Sequence, residues 1–340
     1  MAPVIATIVG VLVLGLVLGG VWVARQVNPP NAPGRAVTVS IPDGSSDSQI
    51  ASVLAAHGVV TNADVFRYYV KLTSAGPFKA GLYDRLHTPE AMADVVKRLN
   101  QAALPPPTRT IVIPEGLWLS EVRAKILHTY PEMKPADLDK ALATVHSKYQ
   151  PAGSTNLEGY LFPATYQVLL TDVGNPQKLV AQMVTKFDEE ADSVGLSAGA
   201  QKLGLTPYQV LTVASMVEEE AKVPGDRPKI ARVILNRLGR GMTLGLDTTV
   251  EYALQQRILN ITNTQLATPS PYNTRVHPGL PPTPISSPGR ASLEAALNPT
   301  PGDWLYFVLA AKDGSQYFTS SYSDFQRATA KGRAEGLFGG

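Results

Sequence analysis

The chain has 340 residues, of which 44% are hydrophobic and 17% are charged. This composition is sufficient for more than one folded unit with a hydrophobic core. Thirty basic residues against 28 acidic ones give a formal net charge of +2, and no long basic run interleaves with aromatic residues, so we expect no nucleic-acid partner. The absence of cysteine excludes disulfides, thiolate metal sites and cysteine nucleophiles.

The histidines give no sign of a metal site. There are five of them, and none forms a helical His-x-x-x-His pair or a zincin pattern. Scattered histidines of this kind are more often surface or packing residues than ligands. We therefore predict neither a metal nor another cofactor.

The N-terminal segment predicts a membrane anchor. Residues 2–24 carry no charged side chain, and at helical rise they are long enough to cross a hydrocarbon core of ~30 Å. A cleaved signal peptide is the alternative, but no basic segment precedes the apolar run and no convincing cleavage site follows it. We predict a transmembrane anchor at residues 1–25. Arg25 and Arg35 lie after the span, so the positive-inside rule gives no support for export of the rest of the chain.

A small α+β module is predicted after a Pro-rich linker at residues 26–36. Residues 37–100 begin with the strand-like stretch "AVTVSIPDG", continue with helical periodicity in "SDSQIASVLAAHGVV", and include a second helix near residues 63–72. A further helix is expected in "TPEAMADVVKRLN", with Thr88 or Pro89 at its start.

The rest of the chain, residues 101–340, is predicted to be a mixed, mainly helical domain. A strand at residues 110–113 follows a Pro-rich joint, and its "IPEG" turn echoes "IPDG" in the first module, through either duplication or shared turn chemistry. Helices are expected near residues 135–146, 176–192, 207–221, 226–238 and 291–297. Seven prolines within residues 268–290 exclude regular structure there, and "WLYFVLAA" and "QYFTSS" predict a β-hairpin around Asp313-Gly314.

The stretch "VASMVEEEAK" at residues 213–222 ends an apolar helix with three glutamates. At ~100° per residue, Val210, Val213, Ala214, Val217 and Ala221 form one apolar stripe. The same geometry predicts that Glu219 faces solvent, whereas Glu218 and Glu220 flank the stripe almost evenly. Solvated charges on a last helical turn are the non-catalytic alternative, but acids there oppose the helix dipole.

Neighbouring segments supply further candidate residues. In "LEGYLFPATYQV", a carboxylate among aromatic residues suits a raised pKa and a sugar-binding wall, although an ordinary loop explains this segment equally well. Asn236 lies at a helix end, and Asp247 follows a turn with two glycines. Tyr272 and Asn273 lie on a proline-stiffened loop, which lowers the entropic cost of presenting these two side chains to a ligand. These candidates are Glu158, Tyr166, Asn236, Asp247, Tyr272 and Asn273.

Taken in order, several segments resemble the endolytic murein transglycosylases (MltG or YceG-like). They are "EGYLFPATY", "ASMVEEEA" followed by "RPKIARVILNRL", "MTLGLDTTVEY", "SPYNTRVHPGLPP" and "PISSPG", and the resemblance covers nearly the whole chain. It implies a LysM-like module at residues 37–100 and a YceG-like catalytic domain at 101–340. The family's catalytic acid matches Glu220, with Glu218 as its motif partner. The chain departs from the family at Gly245, Leu246, Thr248 and Arg275, which affects the expected subsite contacts and not the acid.

The resemblance implies a lyase in the cell membrane, with a single span and an extracytoplasmic catalytic domain. Its substrate would be peptidoglycan glycan strands, cut at the β-1,4 bond between N-acetylmuramic acid and N-acetylglucosamine to give 1,6-anhydro ends. Such cleavage would terminate the elongation of nascent strands, and peptidoglycan synthases are candidate partners. A hydrolytic muramidase with Glu158 as second carboxylate, a non-catalytic peptidoglycan-binding membrane protein and an extracytoplasmic scaffold are the alternatives.

Overall fold

The computed structural model describes residues 2–101, 103–105 and 107–337. They form two compact units, divided between residues 107 and 108. Within the described residues the fold is mixed α+β, with helices predominating and three separate two-stranded antiparallel sheets. The predicted α+β class is thus confirmed at this level.

The first unit opens with an apolar helix, α1 (Ala2–Val27). Its segment Thr7–Val27 is long and apolar enough to cross a membrane. Signal sequences satisfy the same criterion, so length and composition establish an N-terminal apolar helix and no more.

The remainder of the first unit follows the order strand, helix, helix, strand, helix. Its elements are β1 (Arg35–Ile41), α2 (Asp47–Ala56), α3 (Ala63–Thr73), β2 (Gly81–Thr88) and α4 (Met92–Leu99). Strands β1 and β2 pair antiparallel, and Ser46 begins α2 with a capping box that includes Gln49. The expectation that Thr88 or Pro89 caps α4 is wrong: Thr88 ends β2 opposite Arg35, and Ala91 is the N-cap.

The second unit begins with a strand pair that the sequence only half predicted. Strand β3 (Thr108–Ile113) pairs antiparallel with β4 (Ala164–Leu169). Strand β4 lies in "LEGYLFPATYQV", for which the sequence predicted a sugar-binding wall or an ordinary loop. Between them lie α5 (Leu119–Thr129) and α6 (Pro135–Thr144). The buried faces of both strands join the core of this unit through Ile111, Ile113, Tyr166 and Val168.

The helices that carry the glutamates follow β4. They are α7 (Pro176–Ser193), α8 (Leu196–Lys202), α9 (Pro207–Glu220), α10 (Arg227–Gly239) and α11 (Asp247–Leu254). A short α12 (Asn263–Leu266) precedes the proline-rich loop, which contains no helix or strand until α13 (Arg290–Leu297). Strands β5 (Tyr306–Leu309) and β6 (Gln316–Thr319) form the predicted C-terminal hairpin, and α14 (Tyr322–Ala334) follows.

Candidate active site

Helix α9 is the central helix of the second unit. Thr206 caps it in a capping box with Gln209, and Pro207 occupies its first turn. Every residue from 210 to 217 is buried, because α8, α10, α11 and α13 all pack against it. The predicted single apolar stripe is therefore too narrow: even Thr212 and Ser215 lie inside, with hydroxyls bonded to backbone carbonyls of the same helix.

Glu218 links α9 to two other helices. Its side chain is only 7% exposed and lies 3.2 Å from the guanidinium of Arg227. The other carboxylate oxygen accepts a hydrogen bond of 3.0 Å from the Gly289 N–H, at the N-cap of α13. A carboxylate at a helix N-terminus also complements the helix dipole, so these contacts give Glu218 a structural role.

The prediction that Glu219 faces solvent is wrong. Its side chain is 8% exposed and lies 2.5 Å from Arg257, whose guanidinium also binds Glu121 and the backbone carbonyl of Gly116. Burial raises the pKa of Glu219 to about 7, although Arg257 opposes the shift. The segment after α11 and the turn at Gly116 therefore cover a helix face that periodicity alone assigned to water.

Glu220 differs from the other two glutamates in its partner. Its Oε1 accepts a hydrogen bond of 2.7 Å from the Thr248 hydroxyl, and among the residues that the structure describes it has no ion pair within 4 Å. Burial raises the pKa of Glu220 to about 7, and the nearby carboxylates of Asp247, Glu219 and Glu251 raise it further, whereas Thr248 lowers it. A large fraction of this carboxyl group is thus protonated at neutral pH.

The backbone around Glu220 is completed by the C-terminal hairpin. The Gln316 side chain donates a hydrogen bond of 3.0 Å to the Glu220 carbonyl, and its backbone N–H donates to Asp226 at 2.9 Å. The last carbonyls of a helix lack intrahelical donors. Gln316 therefore satisfies one of them and joins β6 to both ends of the turn between α9 and α10.

The turn before α11 forms the rim beside Glu220. Gly245 has a φ of +67°, and a Cβ there would lie 3.2 Å from an Arg237 nitrogen, so both the conformation and the space favour glycine. Arg275 contacts the Gly245 carbonyl at 3.2 Å and the Asp247 carboxylate at 2.5 Å. Asp247 keeps about half of its side chain exposed, which leaves it accessible to a ligand.

Glu158 has a different setting from Glu220. The residue is 2% exposed, its two oxygens accept from the Leu119 N–H at 3.0 Å, and Oε2 also accepts from the Tyr252 hydroxyl at 2.8 Å. Burial raises the pKa of Glu158 to about 7, in line with the expected direction. Its oxygens are occupied at the N-terminus of α5, and its neighbour Gly159 packs against Pro284 too closely for a side chain.

The remaining candidate side chains contact their own fold. The Tyr166 hydroxyl donates to the Phe162 carbonyl at 2.6 Å. The buried Asn273 amide donates to two carbonyls at and just after the end of α12. The Asn236 amide holds the segment before β5 through two carbonyls. The Tyr272 ring packs against the Tyr252 ring in a tilted arrangement, with 5.0 Å between the ring centroids. Of the predicted candidates, the structure thus brings Asp247 to the rim near Glu220. The side chains of the four residues in this paragraph instead contact other parts of the fold and stabilise it.

Among the described residues that contact or surround Glu220 from other elements, Asp247 was predicted from the sequence and the rest were not. Thr248, Arg237, Glu251 and Gln316 all influence Glu220 through a hydrogen bond or a nearby charge. Arg237, Thr248 and Glu251 stand within motif segments quoted above, and this was the available signal. The expectation that the departure at Thr248 leaves the acid unaffected is wrong, because its hydroxyl donates to Glu220. No pattern in the sequence pointed to Gln316.

Large surface cavities lie elsewhere in this unit. One of about 600 Å³ is lined by Lys148, Tyr149 and Asp192, among others, and one of about 540 Å³ is lined by Tyr208, Thr212 and Leu280, among others. Neither includes a glutamate of α9. The cavities therefore do not locate the site, whereas the buried carboxyl group of Glu220 with its raised pKa does so on chemical grounds.

Comparisons with known proteins agree with the motifs. The YceG-like family profile matches residues 39–331. An endolytic murein transglycosylase of Bacillus subtilis is 33% identical over 309 residues, covering 87% of this chain and 84% of that protein. A protein of the same name from Streptococcus pneumoniae is 32% identical over 324 residues, covering 87% of this chain and 58% of that protein.

A solved structure agrees as well. The crystal structure of a yceG-like protein from Listeria monocytogenes is 33% identical, with a TM-score of 0.58, and the match covers 86% of this chain and 99% of that one. The resemblance found in the sequence is confirmed by these matches. The chain belongs to the YceG-like family.

Proposed function

We propose that this protein is a lytic transglycosylase that cleaves peptidoglycan glycan strands, with Glu220 as its catalytic acid and base. Its family and the names of its relatives support the activity. The observation that favours Glu220 is its carboxyl group: it has a raised pKa and a hydroxyl partner, while Glu218 and Glu219 are each paired with an arginine.

The reaction begins with proton transfer from the Glu220 carboxyl to the glycosidic oxygen between N-acetylmuramic acid and N-acetylglucosamine. The bond from that oxygen to the anomeric carbon breaks, and its electron pair stays on the oxygen. The C6 hydroxyl oxygen of the muramoyl residue bonds to the anomeric carbon, and its proton passes to the Glu220 carboxylate. One residue thus serves both steps, and the product is a 1,6-anhydro sugar.

A single acid is sufficient for this reaction, whereas most glycosidases that use water require two carboxylates. The buried oxygens of Glu158 already accept backbone and tyrosine hydrogen bonds, and Asp247 is paired with Arg275. These contacts favour the intramolecular route over hydrolysis. Glu218 supports the site by holding α9, α10 and α13 together.

The N-terminal unit supports a position at the membrane. Helix α1 would anchor the chain by a single span, with the catalytic unit outside the cytoplasm where peptidoglycan lies. The antiparallel strands and intervening helices of residues 35–88 support a LysM-like, glycan-binding role for this unit. Cutting nascent strands there would end their elongation, and the synthases that make them are the partners such a role requires.

Product analysis tests this proposal. The full-length protein in detergent micelles is incubated with purified glycan strands, and the products are weighed by mass spectrometry. Chains that end in the 1,6-anhydro sugar are expected. Reducing ends heavier by one water would indicate a muramidase, and no cleavage would indicate a non-catalytic binding protein; both results would contradict the proposal.

Three matched substitutions test the residue assignment in the same assay. Glu220→Gln is expected to lower the cleavage rate by at least ~100-fold, the usual contribution of a general acid. Glu218→Gln and Glu158→Gln remove carboxyl groups from two other positions of the same unit and should still give the anhydro product. If Glu218→Gln abolished cleavage in folded protein and Glu220→Gln did not, the assignment of the acid would be wrong.

A further inference from the structure

The hydroxyl of Thr248 makes a direct contact with the proposed catalytic acid. Thr248 is the second residue of α11, and its Oγ1 donates to Glu220 Oε1 at 2.7 Å. The carboxyl group has no ion pair within 4 Å among the residues that the structure describes. The last torsion angle of a glutamate side chain has a broad, nearly two-fold distribution. This one hydrogen bond therefore has a large effect on the orientation of the carboxyl group.

Which oxygen carries the proton matters for a carboxylic acid that acts as a proton donor. A protonated carboxyl has one oxygen that only accepts hydrogen bonds and one that carries O–H. The Thr248 hydroxyl donates to Oε1 of the carboxylate, and when it keeps this direction in the protonated acid, Oε1 is the accepting oxygen. The acidic proton is then on Oε2.

We propose that Thr248 is a positioning residue that fixes the Glu220 carboxyl group and keeps its transferable proton on Oε2. This inference rests on the proposed role of Glu220 as the acid. Thr248 need not touch the substrate, since it acts through the carboxyl group that does.

The start of α11 is held firmly enough for such a role. Arg275 binds both the Asp247 carboxylate and the Gly245 carbonyl on one side. On the other side, the buried Thr249 hydroxyl donates to the Leu246 carbonyl at 2.6 Å and lies 2.9 Å from the Thr274 hydroxyl. The two adjacent threonines therefore have different roles: the Thr249 hydroxyl stabilises the turn before α11, and the Thr248 hydroxyl contacts Glu220.

The charged groups around Glu220 define how its protonation should respond. Asp247 and Glu251 face it from α11 and Glu219 from its own helix, and all three favour the protonated form. Arg237 on α10 lies close enough to interact with it, and Arg275 pairs with Asp247. A hydroxyl that donates to the carboxylate favours the charged form, so its removal should raise the pKa of Glu220 further.

The test compares Thr248→Val, which keeps the shape and loses the hydroxyl, with Thr248→Ser, which keeps the hydroxyl. Cleavage of purified glycan strands by the full-length protein is measured between about pH 5 and pH 9. The valine variant should lose about tenfold in kcat with little change in KM, and the alkaline limb of its kcat/KM profile should move upward by about one pH unit. The serine variant should restore both.

A thermal unfolding curve identifies any variant that does not fold, and Thr248→Ala then replaces the valine. Three results would each overturn the proposal. Thr248→Val could have the pH profile of the wild type, it could lose rate without a shift of the alkaline limb, or Thr248→Ser could fail to restore the wild-type rate and profile. These results can be separated from a failure of the proposed function. If the Glu220→Gln variant is active, the role of Glu220 as the acid is refuted. If Glu220→Gln is inactive and Thr248→Val has the pH profile of the wild type, only the role of Thr248 is refuted.

Discussion

Replacing Glu220 with glutamine should make the folded protein more stable in alkaline solution. Burial raises the pKa of Glu220 from 4.5 to about 7. Each pH unit corresponds to about 1.4 kcal/mol, so charging this group in the folded state costs roughly 3 kcal/mol. Glutamine avoids that cost, and its amide oxygen can still accept the hydrogen bond from Thr248.

The sign of the pH dependence of stability follows from whether the folded or the unfolded state binds the Glu220 proton more tightly. The folded state does so, because its pKa is the higher one. The cost is therefore absent below the unfolded pKa of 4.5, grows as the pH rises, and is complete above about pH 7. Wild type and variant should be equally stable in acid and should differ most in alkali.

Thermal unfolding of both full-length proteins in detergent micelles measures this difference. At about pH 8.5 the variant should melt roughly 6 to 12 °C higher, and at about pH 4 the two should coincide. Glu335→Gln is a suitable control, because Glu335 has about half of its side chain exposed and a weak pair at 3.8 Å, and its effect should stay within about 0.5 kcal/mol. An equal shift at both pH values, or a less stable variant in alkali, would refute the burial argument.

Two further substitutions address the other glutamates of α9. Glu218→Gln breaks the buried ion pair with Arg227 and should lower the free energy of unfolding at neutral pH by about 3 kcal/mol. The variant should still give the 1,6-anhydro product. An unchanged free energy of unfolding in chemical denaturation would show that the pair is not buried as described. Arg257→Met leaves the Glu219 carboxylate covered without its cation, so we expect a loss of roughly 2 kcal/mol that grows as the pH rises above about 7. Adding Glu219→Gln to that variant should recover much of the alkaline loss, and no recovery would contradict the pairing.

Elements with strong local signals could be predicted from the sequence. Helices α7, α9 and α10 begin with proline in their first turn and carry apolar residues at helical spacing, and both signals act within a few residues. The C-terminal hairpin has a glycine turn between two β-rich stretches. Strand β4 was missed although Tyr166 and Val168 alternate with polar residues, because this alternation covers only six residues after a proline. Its partner β3 also lies more than fifty residues earlier in the chain.

The environment of each glutamate could not be predicted, because it depends on contacts distant in sequence. Helical geometry places Glu219 on an outer face, yet Arg257, 38 residues later, covers it. Thr248 reaches Glu220 across 28 residues. Periodicity reports which face of one helix is apolar and contains no information about which loop will pack over the opposite face. The choice of Glu220 over Glu218 therefore required the family motif.

The contact of Gln316 with Glu220 bears on when the enzyme becomes complete. A chain is synthesised from its N-terminus, and long-range contacts form later than local ones. Helix α9 can form early, but its last turn gains the Gln316 donor only after 96 further residues have been added. A nascent or prematurely ended chain that lacks residue 316 would thus contain the glutamate without the hydrogen bond from Gln316, so the proposed catalytic centre would be complete only after that residue had been added.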